Sequence, residues 1–399
     1  MNRNLFRSIA AVSIGLLTLG SAEPDVDALR LGVPGAANSG VSLAASGSDV
    51  VVAWAAVTGG ATDVQVARSS DGGLSFGAPV RVNDVAGEAR TSAEQSPRVA
   101  LGNGVAVAWL SRQGGSSVVR TAVMKAGERG FAPARTVHAE GLTGARGWQS
   151  VAMDPSGGVH VAWLDGRNAG GVMRQDLFQS VRRADGSSDE AHVAKDVCFC
   201  CKTSVASAAG ATYIAWRHIY PTNLRDIAVA RSGDGGKTFG SPVRVSEDGW
   251  QIAGCPDDGP SIAVDNAGAV HVAWPTMVPG TPSRKGIFYS YSTDAGQSFS
   301  PRVRVDDGEV AAGHPQLAVS SSRVAVVWDE SGEKRRILLR EIASEAGKSK
   351  LGSVVTLSNA ERPIYPAVAG TPTAWLVAWT EPAATGSEIR VRRIAFSPR

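Results

Sequence analysis

The sequence predicts an all-β protein, a β-propeller of four-stranded antiparallel blades, from two repeated patterns. A β-rich run that ends near a Trp recurs seven times at intervals of about 50 to 60 residues, from Val51–Trp54 to Leu376–Trp379. A shorter apolar run precedes each of these, and Gly-containing turns join many of the pairs. With one strand before and one after a recurring Ser-x-Asp hairpin, a repeat supplies four strands, the content of a propeller blade.

The hairpin motif Ser-x-Asp-x-Gly-x-Ser/Thr-Phe occurs at Ser69–Phe76, Ser232–Phe239 and Ser292–Phe299, between β-rich runs. Its Asp can accept hydrogen bonds from backbone N–H groups ahead of it, its Gly permits positive φ, and its Phe returns the chain to the core. The three segments resemble the Asp box, or BNR repeat, of the sialidase (neuraminidase) superfamily. The resemblance implies a sialidase-like β-propeller and a structural role for the three aspartates.

Seven Trp-containing units predict seven blades, with six, the number in well-known sialidases, as the alternative. The last unit ends after its third strand, Ile389–Ile394, and Ala28–Val33 is expected to supply the fourth strand. Such closure leaves no free sheet edge. Because the Trp positions repeat so regularly, we interpret these side chains as core between blades.

The first 22 residues have the features of a signal peptide, which leaves residues 23–399 as a single propeller domain. Arg3 and Arg7 give a positive start, a short apolar segment follows, and Gly20–Ala22 provides small residues before a cleavage point. An uncleaved membrane anchor is the alternative, but the apolar segment is short for a span. We therefore expect a periplasmic or secreted protein with no membrane span after cleavage, in a compartment where disulfides form.

The charge of the chain bears on its partners. The formal net charge is only +3, and the sequence has no run of Lys and Arg longer than the three residues Lys334–Arg336. These features argue against nucleic acid as a partner.

The predicted topology directs attention to one rim of the propeller. The loops that enter the first strand and leave the second strand of each unit share this rim, which we call the mouth, and the Ser-x-Asp hairpins lie at the opposite rim. Binding sites of repeat folds concentrate on such loops. The mouth loops of units three to six carry all four cysteines and most of the rare polar residues.

The cysteines lie on two neighbouring mouth loops, three on one and the fourth on the next. Clustered thiolates near a His favour a soft or borderline metal, copper first and zinc second, or thiol-based redox chemistry. The predicted metal ligands are Cys198, Cys200, Cys201 and Cys255, with His218 as support. Arg167, Arg217 and Asp257 are expected to shape the pocket.

Disulfides alone are the alternative interpretation of the cysteines, in one of three connectivities. Adjacent residues such as Cys200 and Cys201 rarely bridge each other, and a disulfide from this loop to Cys255 is easier to build. A mixed outcome, with one disulfide and two remaining ligands, also fits the pattern.

Four of the six histidines divide into two groups. His160 and His271 occupy equivalent places within the Trp strands, which favours a packed, hydrogen-bonded role. His218 and His314 lie on mouth loops and are therefore the better candidates for a site.

The resemblance to sialidases also implies a catalytic set. Those enzymes use three arginines for the substrate carboxylate, a Tyr–Glu nucleophile pair and an Asp acid/base. Their early Arg-Ile-Pro motif is absent here. If the chain is a glycoside hydrolase of exo-α-sialidase type, the candidate residues are Tyr365, Glu330, Asp165, Arg167, Arg217 and Arg362. A non-catalytic propeller that binds a glycan or a protein at its mouth is the third interpretation.

Overall fold

The computed structural model describes residues 28–396 except 93, 114–115, 140, 142–143, 169–173, 209, 253, 257, 281, 346–347, 359–361 and 384. The predicted signal peptide and Asp257 lie outside the described residues. Within them the chain forms 28 strands, numbered here in chain order, and a 3-10 turn at Pro221–Asn223. No helix of this described part is long and apolar enough to cross a membrane. The fold class is all-β, as the sequence predicts.

The first strands of seven four-strand units contact one another in sequence, and the last contacts the first, so that they surround a central channel. These first strands are β2 (Ala37–Ser46), β6 (Arg98–Gly102), β10 (Arg146–Met153), β14 (Ser204–Ala208), β18 (Ser261–Val264), β22 (Ala312–Ser320) and β26 (Ile364–Gly370).

The second strand of each unit carries the recurring Trp. These strands are β3 (Asp49–Thr58), β7 (Gly104–Gln113), β11 (Val159–Asp165), β15 (Ala211–Arg217), β19 (Val270–Val278), β23 (Arg323–Ser331) and β27 (Ala374–Pro382). The seven Trp side chains are at most 2% exposed, which confirms their predicted place in the core. Large aromatic rings bury much apolar area at each contact between units.

The third and fourth strands complete the units toward the outside. The third strands are β4 (Ala61–Ser69), β8 (Ser116–Lys125), β12 (Arg174–Arg182), β16 (Ile227–Ser232), β20 (Arg284–Ser292), β24 (Arg335–Glu345) and β28 (Ser387–Ala395). The fourth strands are β5 (Val80–Arg81), β9 (Arg135–Thr136), β13 (Ser188–Cys198), β17 (Val243–Arg244), β21 (Val303–Arg304), β25 (Lys348–Ser358) and, in the last unit, β1 (Leu29–Leu31).

The chain closes the ring as its sequence predicts. Strand β1 pairs antiparallel with β28, where Leu29 is opposite Val391 and Leu31 is opposite Ile389. A hydrophobic cluster shared by the first and last units places Trp54 together with Ile389 and Val391 of β28. The last unit therefore takes its fourth strand from the beginning of the described chain.

Hydrogen bonds distribute the seven units over six sheets among the described residues. Five sheets have four strands, and one eight-stranded sheet combines the first and last units through the single parallel pair Ala37 and Ser387. Units and sheets thus differ in number, and seven blades stays a prediction.

The three Ser-x-Asp hairpins form the same hydrogen-bond network. In the first, Asp71 Oδ1 accepts from the backbone N–H groups of Leu74 and Ser75 at 2.9 and 3.0 Å. Asp234 and Asp294 accept from the equivalent pairs of N–H groups. Each carboxylate satisfies backbone donors of its own turn, which is the structural role expected for it.

The first hairpin also shows which rim the motif occupies. The N–H of Gly72 donates to the carbonyl of Ser48 at 2.9 Å, so the hairpin lies beside the turn between β2 and β3. That turn is at the end of the unit opposite the start of β2. The hairpin is therefore remote from the mouth.

Candidate functional site

The cysteines meet where two inter-unit segments run side by side at the mouth. Strand β13 ends at Cys198, and the segment that follows carries Cys200 and Cys201 into β14. Cys255 precedes β18, and it forms a disulfide with Cys200 across a Cα–Cα distance of 6.1 Å. The expected approach of the two segments is confirmed, and the bridge is the type that loop geometry favours.

Two thiols remain beside this disulfide. Cys198 and Cys201 are free and buried, and their Sγ atoms are 3.3 Å apart. The Sγ atom of Cys198 is also 3.7 Å from that of Cys200. In place of the predicted set of four thiolates, the structure has one disulfide and two thiols. This is the mixed arrangement that the sequence pattern also allows.

The two thiols differ in their electrostatic surroundings. A hydrogen bond from Cys201 and the positive charge of Arg225, whose Nη1 is 3.1 Å from the Cys198 sulfur, lower the pKa of Cys198 to about 6. Burial raises the pKa of Cys201 well above its usual value. Cys198 is therefore the thiolate of the pair at neutral pH, and thiolates are both nucleophiles and metal ligands.

His218, the predicted supporting ligand, has other partners. Its Nδ1 lies 3.4 Å from the indole nitrogen of Trp216, and its ring centroid is 4.6 Å from that of Tyr220. Among the described residues, the compact group of potential ligand atoms consists of the sulfurs of Cys198, Cys200 and Cys201, all within 4.8 Å of one another. A charged side chain also contacts the cluster, that of Arg225, which was not among the predicted site residues.

A second site, which we call the axial pocket, lies where the seven units converge. It is lined by residues from every unit, and the charged and phenolic ones are Glu94, Arg98, Lys202, Asp258, His314 and Tyr365. Lys202 directly follows Cys201, and Trp148 both lines the pocket and packs against the cysteine cluster. The pocket and the cluster are therefore adjacent.

Bulges in the first strands present side chains to this pocket. Trp148, His314 and Tyr365 have φ angles of 57°, 54° and 53°, and each lies at a register shift between its strand and the next. Bulky residues rarely adopt this left-handed conformation, and such residues concentrate at functional sites. The bulge re-aims a side chain that a regular strand would direct elsewhere.

Tyr365 forms the polar centre of the pocket. Its hydroxyl is 3.0 Å from Glu94 Oε1, and its ring centroid is 4.3 Å from that of His314. Burial and the Glu94 carboxylate raise the pKa of Tyr365. Burial disfavours the charged form of His314, but Asp258 and Asp329 outweigh it and raise the pKa of this imidazole.

Two cations share the pocket. Burial lowers the pKa of Arg98 to about 10, which leaves it charged at neutral pH. Burial also lowers the pKa of Lys202 to about 8, although Asp258 opposes the shift. Lys202 Nζ donates to the carbonyl of Pro315 at 2.8 Å. An anionic group in the pocket would therefore meet two positive charges.

Of the residues that the resemblance to sialidases suggested, Tyr365 lines the pocket, and its partner is Glu94 in place of Glu330. Glu330 accepts a hydrogen bond from the indole of Trp328 and pairs with Arg336. The hydroxyl of Tyr365 thus does have a carboxylate partner, but this partner comes from the segment before β6.

The other suggested residues have scaffold contacts or lie at the surface. Asp165 is fully buried and pairs with Arg146 at 2.9 Å and Arg167 at 2.7 Å. Arg217 is also fully buried and donates to backbone carbonyls, among them Pro275 at 2.7 Å. Arg362 is exposed just before β26. The structure does not bring these arginines together with Tyr365.

Glu94 and Arg98 were missed, although one signal was available. Arg98 stands at the first position of β6, where the equivalent strands β14 and β18 begin with Ser. The equivalent position lines the channel in the other units, and a charged residue at this position departs from the repeat. Glu94 carries no such signal because it precedes the strand.

No family model and no curated protein sequence matches the chain. Among solved structures, a polysaccharide lyase of family PL25, an ulvan lyase, matches with a TM-score of 0.60 and 10% identity over 92% of this chain and 96% of that one. The phage phi92 endosialidase matches with a TM-score of 0.53 and 9% identity over 94% and 70% of the two chains.

A further match is the Hadza microbial sialidase Hz136, with a TM-score of 0.49 and 14% identity over 73% of this chain. The present chain spans only 63% of the length of that sialidase. At these identities the likeness concerns the fold alone.

Proposed function

The chain has a sialidase-like β-propeller fold, and on this scaffold we propose an extracytoplasmic protein whose Cys198–Cys201 thiol pair binds a soft metal ion or acts in thiol redox chemistry. Copper(I) is the first candidate and zinc the second. Thiolate sulfur is the ligand type that copper(I) prefers in proteins.

The observation that carries the proposal is the separation of 3.3 Å between the two buried thiol sulfurs. A third sulfur, of Cys200, lies 3.7 Å from Cys198. Metal binding requires loss of the thiol protons, and the lowered pKa of Cys198, about 6, favours this at neutral pH. The apolar surroundings, including Ile219 and Trp148, would exclude water from a bound copper(I) ion.

The Cys200–Cys255 disulfide supports a periplasmic or secreted location. Disulfides persist in oxidising compartments and are rare in the cytosol. The predicted signal peptide, residues 1–22, supports the same proposal independently.

Titration of the full mature chain with copper(I) against a chromogenic copper(I) chelator tests metal binding. We expect about one equivalent in the native protein and none above background in the Cys198→Ser/Cys201→Ser variant, which lacks both thiolates. The matched control, Cys200→Ser/Cys255→Ser, removes the disulfide and should retain the metal. Equal background binding by the native protein and the first variant would reject the proposal.

Carbohydrate chemistry in the axial pocket is a second candidate, favoured by the contact of 3.0 Å between Tyr365 and Glu94. A phenol beside a carboxylate can be activated as a nucleophile, and Arg98 offers a guanidinium to an acidic sugar. The titles of the neighbours name an endosialidase and an ulvan lyase bound to a saccharide. A glycan partner, bound with or without turnover, follows from this candidate.

A fluorogenic sialoside assay tests sialidase-type turnover. The Tyr365→Phe and Glu94→Gln variants should each lose activity by about 100-fold or more, because the nucleophile or its base is removed. The Arg362→Ala variant serves as a control at the exposed rim. Absence of turnover by the native protein rejects this chemistry for that substrate, and glycan binding without turnover would favour a non-catalytic propeller.

A further inference from the structure

The sulfurs of the four cysteines form an unbroken row. Cys201 and Cys198 are 3.3 Å apart, Cys198 and Cys200 are 3.7 Å apart, and Cys200 is bonded to Cys255. Each free thiol is therefore in van der Waals contact with a sulfur that stands next in the row. A thiolate in contact with a disulfide sulfur is the arrangement from which thiol–disulfide exchange begins.

We infer that the four cysteines form one thiol–disulfide exchange centre, in which the disulfide moves from the Cys200–Cys255 pair to the Cys198–Cys201 pair. The inference uses the cysteine site of the proposed function, but it does not require a metal.

The contacts assign the first step to Cys198. Its sulfur lies 3.7 Å from that of Cys200, and the Nη1 atom of Arg225 lies 3.1 Å from it. The Cys198 thiolate attacks Cys200 Sγ, the new bond forms between these two sulfurs, and the bond to Cys255 breaks. Cys255 leaves with the electron pair and takes up the proton that Cys198 gave up.

The second step uses the remaining contact. The sulfur of Cys201 attacks Cys198 Sγ at 3.3 Å, forms the Cys198–Cys201 disulfide and expels Cys200 as a thiolate. The proton of Cys201 passes to Cys200. Both end states contain one disulfide and two thiols, so the exchange needs neither an oxidant nor a reductant.

The exchange changes which cysteines at the mouth are free thiols. Before it, the two thiols are Cys198 and Cys201, which are at most 1% exposed. After it, they are Cys200 and the less deeply buried Cys255, and the covalent link between the two inter-unit segments is broken. The two free thiols are thus transferred from the buried pair Cys198 and Cys201 to the pair Cys200 and Cys255, which is nearer the solvent.

Trapping with N-ethylmaleimide under native conditions and without reductant tests the exchange in the full mature chain. Each opening of the disulfide exposes Cys255 to irreversible labelling, which mass spectrometry of acid-quenched, non-reduced peptides detects. We expect labelled Cys255 to accumulate in the native protein and about tenfold more slowly in the Cys198→Ser variant, which lacks the attacking sulfur.

The Cys201→Ser variant isolates the first step. We expect it to label at Cys255 and to accumulate the Cys198–Cys200 linkage, because the second attack is blocked. Equal, background labelling of Cys255 in the native protein and both variants overturns the inference. The outcome of the copper(I) titration does not depend on this labelling. If the native protein binds no copper(I) but Cys255 is still labelled, the metal-binding proposal is rejected and the exchange is supported.

Discussion

The recurring Trp positions polar neighbours as well as apolar ones. The indole nitrogens of Trp163, Trp328 and Trp379 donate to the acidic residue two places further along the chain, at 3.0, 3.2 and 3.3 Å. Each of these acids also pairs with an Arg. An acid two places after the Trp therefore stabilises the scaffold, which corrects the catalytic role that the resemblance to sialidases suggested for Asp165 and Glu330.

Asp165 gives the sharpest test of this scaffold role. The Asp165→Asn change leaves Arg146 and Arg167 with a neutral partner in a buried site, and we expect the free energy of unfolding to fall by about 3–5 kcal/mol. Urea denaturation measures it. The control Glu190→Gln removes the more exposed partner of Arg167 and should cost less than about 1 kcal/mol. An Asp165→Asn protein as stable as the native one would contradict the role.

His160 predicts a pH dependence of stability. Burial lowers its pKa from 6.5 in the folded state, although its Nε2 lies 3.0 Å from Asp154. Below pH 6.5 the unfolded chain therefore binds more protons at this residue than the folded chain, and stability falls as the pH falls. We expect the midpoint of urea denaturation to decrease less steeply below pH 6.5 in His160→Gln than in the native protein. The surface variant His192→Gln is the control. An unchanged slope would count against the buried neutral imidazole.

At the scale of elements, the course of the first strands determines which of their side chains line the axial pocket. The sequence repeat predicts where these strands lie. Tyr365 and His314 were candidates only because their sequence positions put them at the mouth. The bulges that turn these residues into the pocket carry no compositional signal, since positive φ at a bulky residue is set by the tertiary structure. Glu94 was unpredictable for a further reason: it contacts Tyr365 across 271 positions of the chain.

The Ser-x-Asp hairpins are elements whose role the sequence did predict. In the Asp234→Ala variant the N–H groups of Lys237 and Thr238 lose their acceptor, and we expect a lower Tm and faster hydrogen exchange in this hairpin. Copper(I) stoichiometry should not change, because the hairpins lie at the rim opposite the mouth. The neighbouring change Lys237→Ala is the control, and altered metal binding in Asp234→Ala would contradict the separation of the rims.

At the scale of the whole molecule, closure joins the two ends of the described chain. Leu29 and Leu31 pack against the cluster shared by the first and last units, while Arg30 between them is exposed. We expect Leu29→Ala/Leu31→Ala to lower the free energy of unfolding by about 1–3 kcal/mol, and Arg30→Ala to leave it nearly unchanged. Urea denaturation followed by Trp fluorescence measures both. Equal stability of the two variants would show that β1 does not close the ring.

The repeat also explains how far the candidate site could be predicted. Periodicity placed the four cysteines on adjacent loops at one rim, and the Cys200–Cys255 disulfide confirms that these loops meet. Periodicity could not decide which sulfurs bond, because all three connectivities satisfy the same loop positions. Nor could it reveal Arg225, whose contact with Cys198 depends on the path of the segment after β15.

The proposed metal site and the proposed exchange both require a single disulfide beside two thiols. A free-thiol count on protein purified under native conditions without reductant tests this most directly, since both disulfide isomers give the same number. The structure predicts two thiols per chain. A count of four would show that the two segments are not bridged, and a count of zero would show a second disulfide in place of the proposed thiol pair.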